Sequence, residues 1–145
     1  MLHLLKLSVG PDSIADLEAR HTRWAREAAE EGRAYTPSHT TRMVPKRLAE
    51  IAGQGSIYWV IRGTLCCRQA IAAIEPFTGT DGISRCRIVL DPSIVPVTPR
   101  PCRPFQGWRY LEPADAPPDL DAGGGSGLTE LPEALRRELA SLGLL

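Results

Sequence analysis

Ile14, Leu17, Trp24 and Ala28 recur at helical spacing in "PDSIADLEARHTRWAREAAEEG", and His21 falls among them on the same face. Asp12 or Ser13 can cap the start and Gly32 the end, so a long amphipathic helix is predicted here. Before it, the short apolar run "LHLLKLS" stops at Gly10-Pro11 and reads as a strand. After it, "SHTTRMV" reads as a strand leading into "PKRLAEIAGQG". There Pro45 suits a first helical position, Leu48 and Ile51 form an apolar side and Gly53 is a stop, which predicts a short helix.

Beyond residue 55 the period changes. "SIYWVIRG" is rich in β-branched and aromatic residues, "TLCCRQAIAAIEPF" is a longer apolar run, and Asp81-Gly82 is a turn signal. "RCRIVLD" then alternates, with Cys86, Ile88 and Leu90 to one side and Arg85 and Arg87 to the other. These three strands form an antiparallel meander. The proline-rich "PSIVPVTPRPCRP" can be an edge or an extended connector but not a central strand. "RPFQGWRYL" reads as a last strand, residues 112–127 as a flexible acidic linker, and "LTELPEALRRELASLGLL" as an amphipathic C-terminal helix carrying Leu131, Leu135, Leu139 and Leu142 on one face. Helices that do not alternate with strands argue α+β, and an antiparallel sheet of about six strands is expected to curl into a barrel-like form that hides its edges.

Length then sets the scale, because 145 residues suit a single domain, 1–145. No segment approaches a membrane span, and "MLHLLKLSVGPDS" is too short and interrupted for a signal peptide, so a cytoplasmic protein is expected. Cys66, Cys67, Cys86 and Cys102 lack CxxC or Cys/His spacing, which points to reduced thiols rather than a metal site. Adjacent Cys66 and Cys67 are expected on opposite strand faces. No cofactor is indicated.

Charge adds more. The net charge is zero, yet residues 33–109 hold eleven Lys/Arg against four Asp/Glu, while both ends are acidic. A basic middle suits an anionic partner, or neutralisation by the acidic tail. The candidate constellation among its cations is Arg42, Lys46, Arg47, Arg62, Arg68, Arg103 and Arg109; Lys46 and Arg47 stand at the start of the predicted short helix, where backbone N–H groups favour anions. On the last strand Gln106, Trp108 and Tyr110 share a face, which is either core or a surface on which a base stacks. His21 reads as a hydrogen-bonded core residue, whereas His39 has polar neighbours suited to a site. For an enzyme, the candidates are Lys46, Glu75, His39 and Cys67, with Lys46 and Glu75 as the pair an amide hydrolase would use.

"TRMVPKR", "GSIYWVIRG", "RCRIVLDP" and "RPFQGWRYL", between the "LHLLKLSVG" start and the "LASLGLL" end, resemble an uncharacterised bacterial family, domain of unknown function 1489, over nearly the whole chain. That resemblance implies no activity. The order "KRLAEIAGQGSIYWVIRG" followed by a long hairpin is similar to the PUA-like small barrels, which include ASCH and EVE domains. By analogy of fold this implies RNA or modified-base binding. The expectation is therefore binding of RNA, a nucleotide or another phosphate-bearing ligand. The alternatives are a small ASCH-like hydrolase or transferase, and a protein-interaction module that forms a homodimer through its C-terminal helix.

Overall fold

A computed structural model describes residues 1–120 and 132–142. β1 (His3–Leu7) is followed by α1 (Ile14–Glu30) and β2 (Ser38–Thr41), then by β3 (Ser56–Ile61), β4 (Thr64–Thr78), β5 (Ser84–Leu90), β6 (Val95–Pro101), β7 (Trp108–Leu111) and α2 (Glu133–Ser141). The class is α+β. The seven strands form one sheet in the order β2-β5-β4-β3-β1-β7, with β6 on β4.

The predicted meander is present as β3, β4 and β5, antiparallel throughout. The β3–β4 turn is Arg62-Gly63, both at positive φ (49° and 76°), the backbone that a two-residue hairpin needs. β4 is long enough for three partners. Residues 64–70 pair with β3, and β6 and β5 follow each other along the opposite edge. Register shifts between Leu65 and Cys67 and between Ile71 and Ala73 bend it. β6 carries Pro96, Pro99 and Pro101 and lies at an edge, where missing donors do least harm.

The pairing of β1 is not local. It runs parallel to β3, with Leu4 opposite Ile57 and Lys6 opposite Trp59, and antiparallel to β7, with Lys6 opposite Trp108. Gly55 makes the entry to β3 possible, since a Cβ there would stand 1.9 Å from the Leu2 carbonyl oxygen.

All six residues of β3 are buried because both its faces are covered. Ile57, Trp59 and Ile61 join Leu4, Ile71, Ile88 and Leu90 beneath Ile14 and Leu17 of α1. Tyr58 and Val60 join Leu65, Val97 and Leu111 on the reverse. Cys66 and Cys67 both enter the first cluster rather than opposite faces, because the ladder shifts register beside them. The hydrogen-bonded Cys66 side chain, together with burial, pushes the Cys67 thiol pKa up.

Four expectations are corrected. The sheet does not close into a barrel: β2 and β7 end it, and instead of a ladder the Trp108 indole N–H donates to the Met43 carbonyl at 2.8 Å. The short helix at 45–53 is only a 3-10 turn, Leu48–Glu50, because Gly53 turns at φ 72° and its N–H is taken by the Ile71 carbonyl. The last strand begins at Trp108 rather than Arg103, since Pro104 lacks a donor and Gly107 has φ 70°. In α1, Ile14, Leu17 and Ala28 are buried as predicted but Trp24 is 39% exposed.

Of the acidic segment 112–127, residues up to 120 are described and packed: Asp119 bridges to Val97 and Leu120 is buried. Residues 121–127 lie outside the described residues, as does Leu131. α2 packs on β6 with Ala140 buried, while Leu135 and Leu142 are exposed. Glu133 accepts from the Ile14 N–H through both carboxylate oxygens (2.8 and 2.9 Å), an N-terminal cap supplied by another helix, and Ser13 Oγ accepts from Asp16 N at 3.0 Å.

Candidate ligand cleft beneath α1

The residues expected to form one basic, aromatic surface are spread over the molecule. Trp108 is 7% exposed, with its N–H consumed by Met43. Tyr110 stands edge-on to it at 4.9 Å and remains partly exposed, its hydroxyl accepting from the Arg47 backbone N–H at 3.2 Å. Arg47 does lie over the Tyr110 ring, at 5.7 Å, but its guanidinium is neutralised by Glu50 (2.6 Å) and Glu112 (3.2 Å). Arg68 is on the reverse face, where it binds Asp119 through two 2.8 Å contacts and also donates to Ser56 Oγ. Arg62, at the β3–β4 turn, pairs with Asp12 at 3.7 Å. Arg109 covers Phe105 at 4.7 Å on the face opposite Trp108.

Arg42, Lys46, Arg103 and Gln106 are exposed on connecting segments, and a three-residue turn after Lys46 offers no helix N-terminus for an anion. Lys46 and Glu75 share no hydrogen bond or ion pair in the described residues; Glu75 is opposite Arg87 on the arm formed by β4 and β5. His39 is far better placed than either.

The side chains that do converge lie between α1 and the concave face of the sheet. A cavity of about 160 Å³ is lined there by Lys6 and Ser8 from the end of β1, Arg20, His21 and Trp24 from α1, His39 from β2, and Trp59 from β3. Its walls are two edge-on imidazole–indole pairs: His21 with Trp24 (5.9 Å) on the helix, and His39 with Trp59 (5.7 Å) on the sheet. A second, more open cavity of about 390 Å³ shares His21 and adds Glu18, Thr22, Tyr35 and Ile94.

Sequence and backbone explain the placement. Lys6 alternates with Leu2 and Leu4, both fully buried, so its stem enters the same face between Trp59 and Trp108. Arg20 sits one helical turn after Leu17. Its guanidinium lies against Gly10, where a Cβ would be 2.2 Å from Nη2, and it donates to the Val9 carbonyl at 3.3 Å while covering Trp24 at 5.5 Å.

A buried polar network holds the walls together. Gln69, wholly buried, accepts from Trp59 Nε1 at 3.0 Å and donates to the Asp91 carbonyl at 3.1 Å. His21 Nδ1 meets the Tyr35 hydroxyl at 2.5 Å. Burial and the Arg20 charge lower the His21 pKa and burial raises that of Tyr35; which of the two donates is set by the imidazole tautomer. His21 is hydrogen-bonded as expected but is half-buried rather than part of the core, and its ring lines both cavities.

Charge in the smaller cavity is one-sided. Neither Lys6 nor Arg20 has an ion-pair partner among the described residues, and no carboxylate lines it. Burial lowers the Lys6 pKa, and burial together with the Lys6 charge takes His39 down to about 4. At neutral pH the cleft thus presents two cations, two neutral imidazoles and two indole rings. This set can attract an anion, donate hydrogen bonds to it and pack a flat group beside it.

Lys6, Arg20, Trp24 and Trp59 were absent from the residues singled out by sequence. A signal existed for Lys6, the one cation on the buried side of an alternating apolar strand. None existed for the convergence, which depends on long-range pairing. Among the described residues no group of three potential metal ligands occurs, and no helix is long and apolar enough to cross a membrane.

Searches of curated proteins and of solved structures return no significant match. The model of a protein family described as a protein of unknown function, DUF1489, covers residues 4–145. The motifs "TRMVPKR", "GSIYWVIRG", "RCRIVLDP" and "RPFQGWRYL" lie within that span, and the chain belongs to the DUF1489 family.

Proposed function

We propose that the chain binds a small phosphate-bearing ligand, of nucleotide size, in the cleft beneath α1. One observation carries the reading: Lys6 and Arg20, two cations without ion-pair partners among the described residues, line a cavity walled by aromatic rings. A lysine half-buried without an acid pays a desolvation cost that a bound anion offsets. A nucleotide supplies both the anion and the flat ring. The cavity of Lys6 and Arg20, at about 160 Å³, has the room of a phosphate group, and the adjoining cavity that shares His21, at about 390 Å³, is within the range of small-molecule sites, roughly 300–1,000 Å³.

The ligand is a mononucleotide or the exposed end of an RNA strand, since the walls enclose too little space for a duplex. The expected contribution of Arg47, Trp108 and Arg109 is replaced by that of Lys6, Arg20 and Trp24. Titration of the protein with a set of nucleoside 5′-monophosphates at low salt, read by tryptophan fluorescence and calorimetry, tests this. Saturable binding that weakens with salt and is lost in Lys6→Ala and Arg20→Ala supports it. A folded protein that binds no nucleotide, or variants that bind as well as the parent, would end the proposal.

A further inference from the structure

The cleft has two ends of opposite character, joined at His21. On the Lys6 side every ionised group is a cation. On the other side the charged lining residue is Glu18, an exposed carboxylate with no ion-pair partner among the described residues, accompanied by the Thr22 and Tyr35 hydroxyls and the apolar Ile94. Glu18, His21, Thr22 and Ala25 follow one another at helical spacing along α1, so a ligand lying along the helix meets them in turn.

We infer that the ligand is bipartite: its phosphate lies toward Lys6 and Arg20, and its other end is a nucleobase bearing an exocyclic amino group, donated to Glu18. This rests on the phosphate reading above. A carboxylate accepts hydrogen bonds and cannot donate them, so it pairs with the amino group of adenine or cytosine and repels the carbonyl oxygen that replaces it in hypoxanthine or uracil. Placing a second anionic group near Glu18 is also disfavoured, which fixes the ligand's direction along the cleft. The Tyr35 hydroxyl, engaged with His21 Nδ1, has an oxygen that offers a further acceptor at this end.

The test compares cytidine and adenosine monophosphates with uridine and inosine monophosphates and with inorganic phosphate, using the full chain and Glu18→Gln. The amino-bearing pair is expected to bind about tenfold or more tighter than the keto pair. In Glu18→Gln, whose amide can both donate and accept, that preference falls to near unity while phosphate binding is unchanged. Equal affinity for all four nucleotides in the parent chain overturns the inference and leaves phosphate binding standing. Absence of binding by any nucleotide and by phosphate overturns both. A preference that survives in Glu18→Gln assigns discrimination elsewhere and also overturns the inference.

Discussion

The Trp108 indole N–H donates to the Met43 carbonyl at 2.8 Å, linking β7 at one end of the sheet to the chain leaving β2 at the other. The same carbonyl receives the Cys86 thiol at 3.5 Å. An open sheet is thereby drawn around its core without a continuous ladder, and the ring predicted as a possible stacking surface is consumed in doing so. Trp108→Phe retains much of the apolar contact and deletes the donor. A loss of about 1–3 kcal/mol is expected from urea unfolding. An unchanged midpoint would mean that the thiol alone serves this carbonyl.

Gly55 has no room for a side chain. In Gly55→Ala the new Cβ meets the Leu2 carbonyl, so β1 or the turn into β3 has to move. The predicted effect is about 2 kcal/mol or more, in the range of buried backbone strain and overpacking. Thermal melting of the variant measures it.

His39 provides a pH dependence. Its pKa is about 4 in the folded chain against 6.5 ordinarily, so between those values the unfolded state binds a proton that the folded state does not. The stabilisation from this neutral ring is full above about pH 6.5 and is lost as pH falls toward 4. It amounts to at most about 3 kcal/mol, reduced where water reaches the half-buried ring. His3 and His21 are shifted the same way. His39→Gln should therefore flatten, without abolishing, the fall in melting temperature between neutral and mildly acidic pH.

Arg47 separates the two possible basic surfaces. Its pairs with Glu50 and Glu112 are exposed to water, so breaking them in Arg47→Ala should leave the melting temperature nearly unchanged. Nucleotide binding should remain at the parental level in this variant and disappear in Lys6→Ala. The reverse result would return the ligand to the neighbourhood of Tyr110.

Glu133→Ala removes the cap that α2 lends to α1. A loss of about 0.5–2 kcal/mol is expected, as for other N-terminal caps. Hydrogen exchange should rise at Ile14 and in the first turn of α1, with the far end of the helix unaffected.

Elements whose signals are local were readable from the sequence. The repeat through Ile14, Leu17 and Ala28 marks α1, the alternation of Cys86, Ile88 and Leu90 marks β5, and the prolines of β6 place it at an edge. Pairing between distant segments was not readable. Nothing in "LHLLKLS" says that β1 lies between β3 and β7, and this placement is what sets Lys6 among indoles. Likewise, Arg47 looks like a free cation until Glu112, sixty-five residues later, is brought beside it. Local charge counting located a basic segment correctly but could not say which of its cations would be cancelled by acids from elsewhere. His39 was recognised from its polar neighbours, whereas its partners Trp59 and Lys6 come from other strands.

The central position of β1 has a bearing on how the chain acquires its structure. During synthesis β1 waits for residue 56 before its first ladder neighbour exists and for residue 108 before its second. Until then β1 lacks one or both of its ladder partners, and the cavity beneath α1 lacks a wall until Leu90 is made. Fragments ending before β7 should therefore leave one edge of β1 unpaired and exchange its amide hydrogens faster than the full chain does.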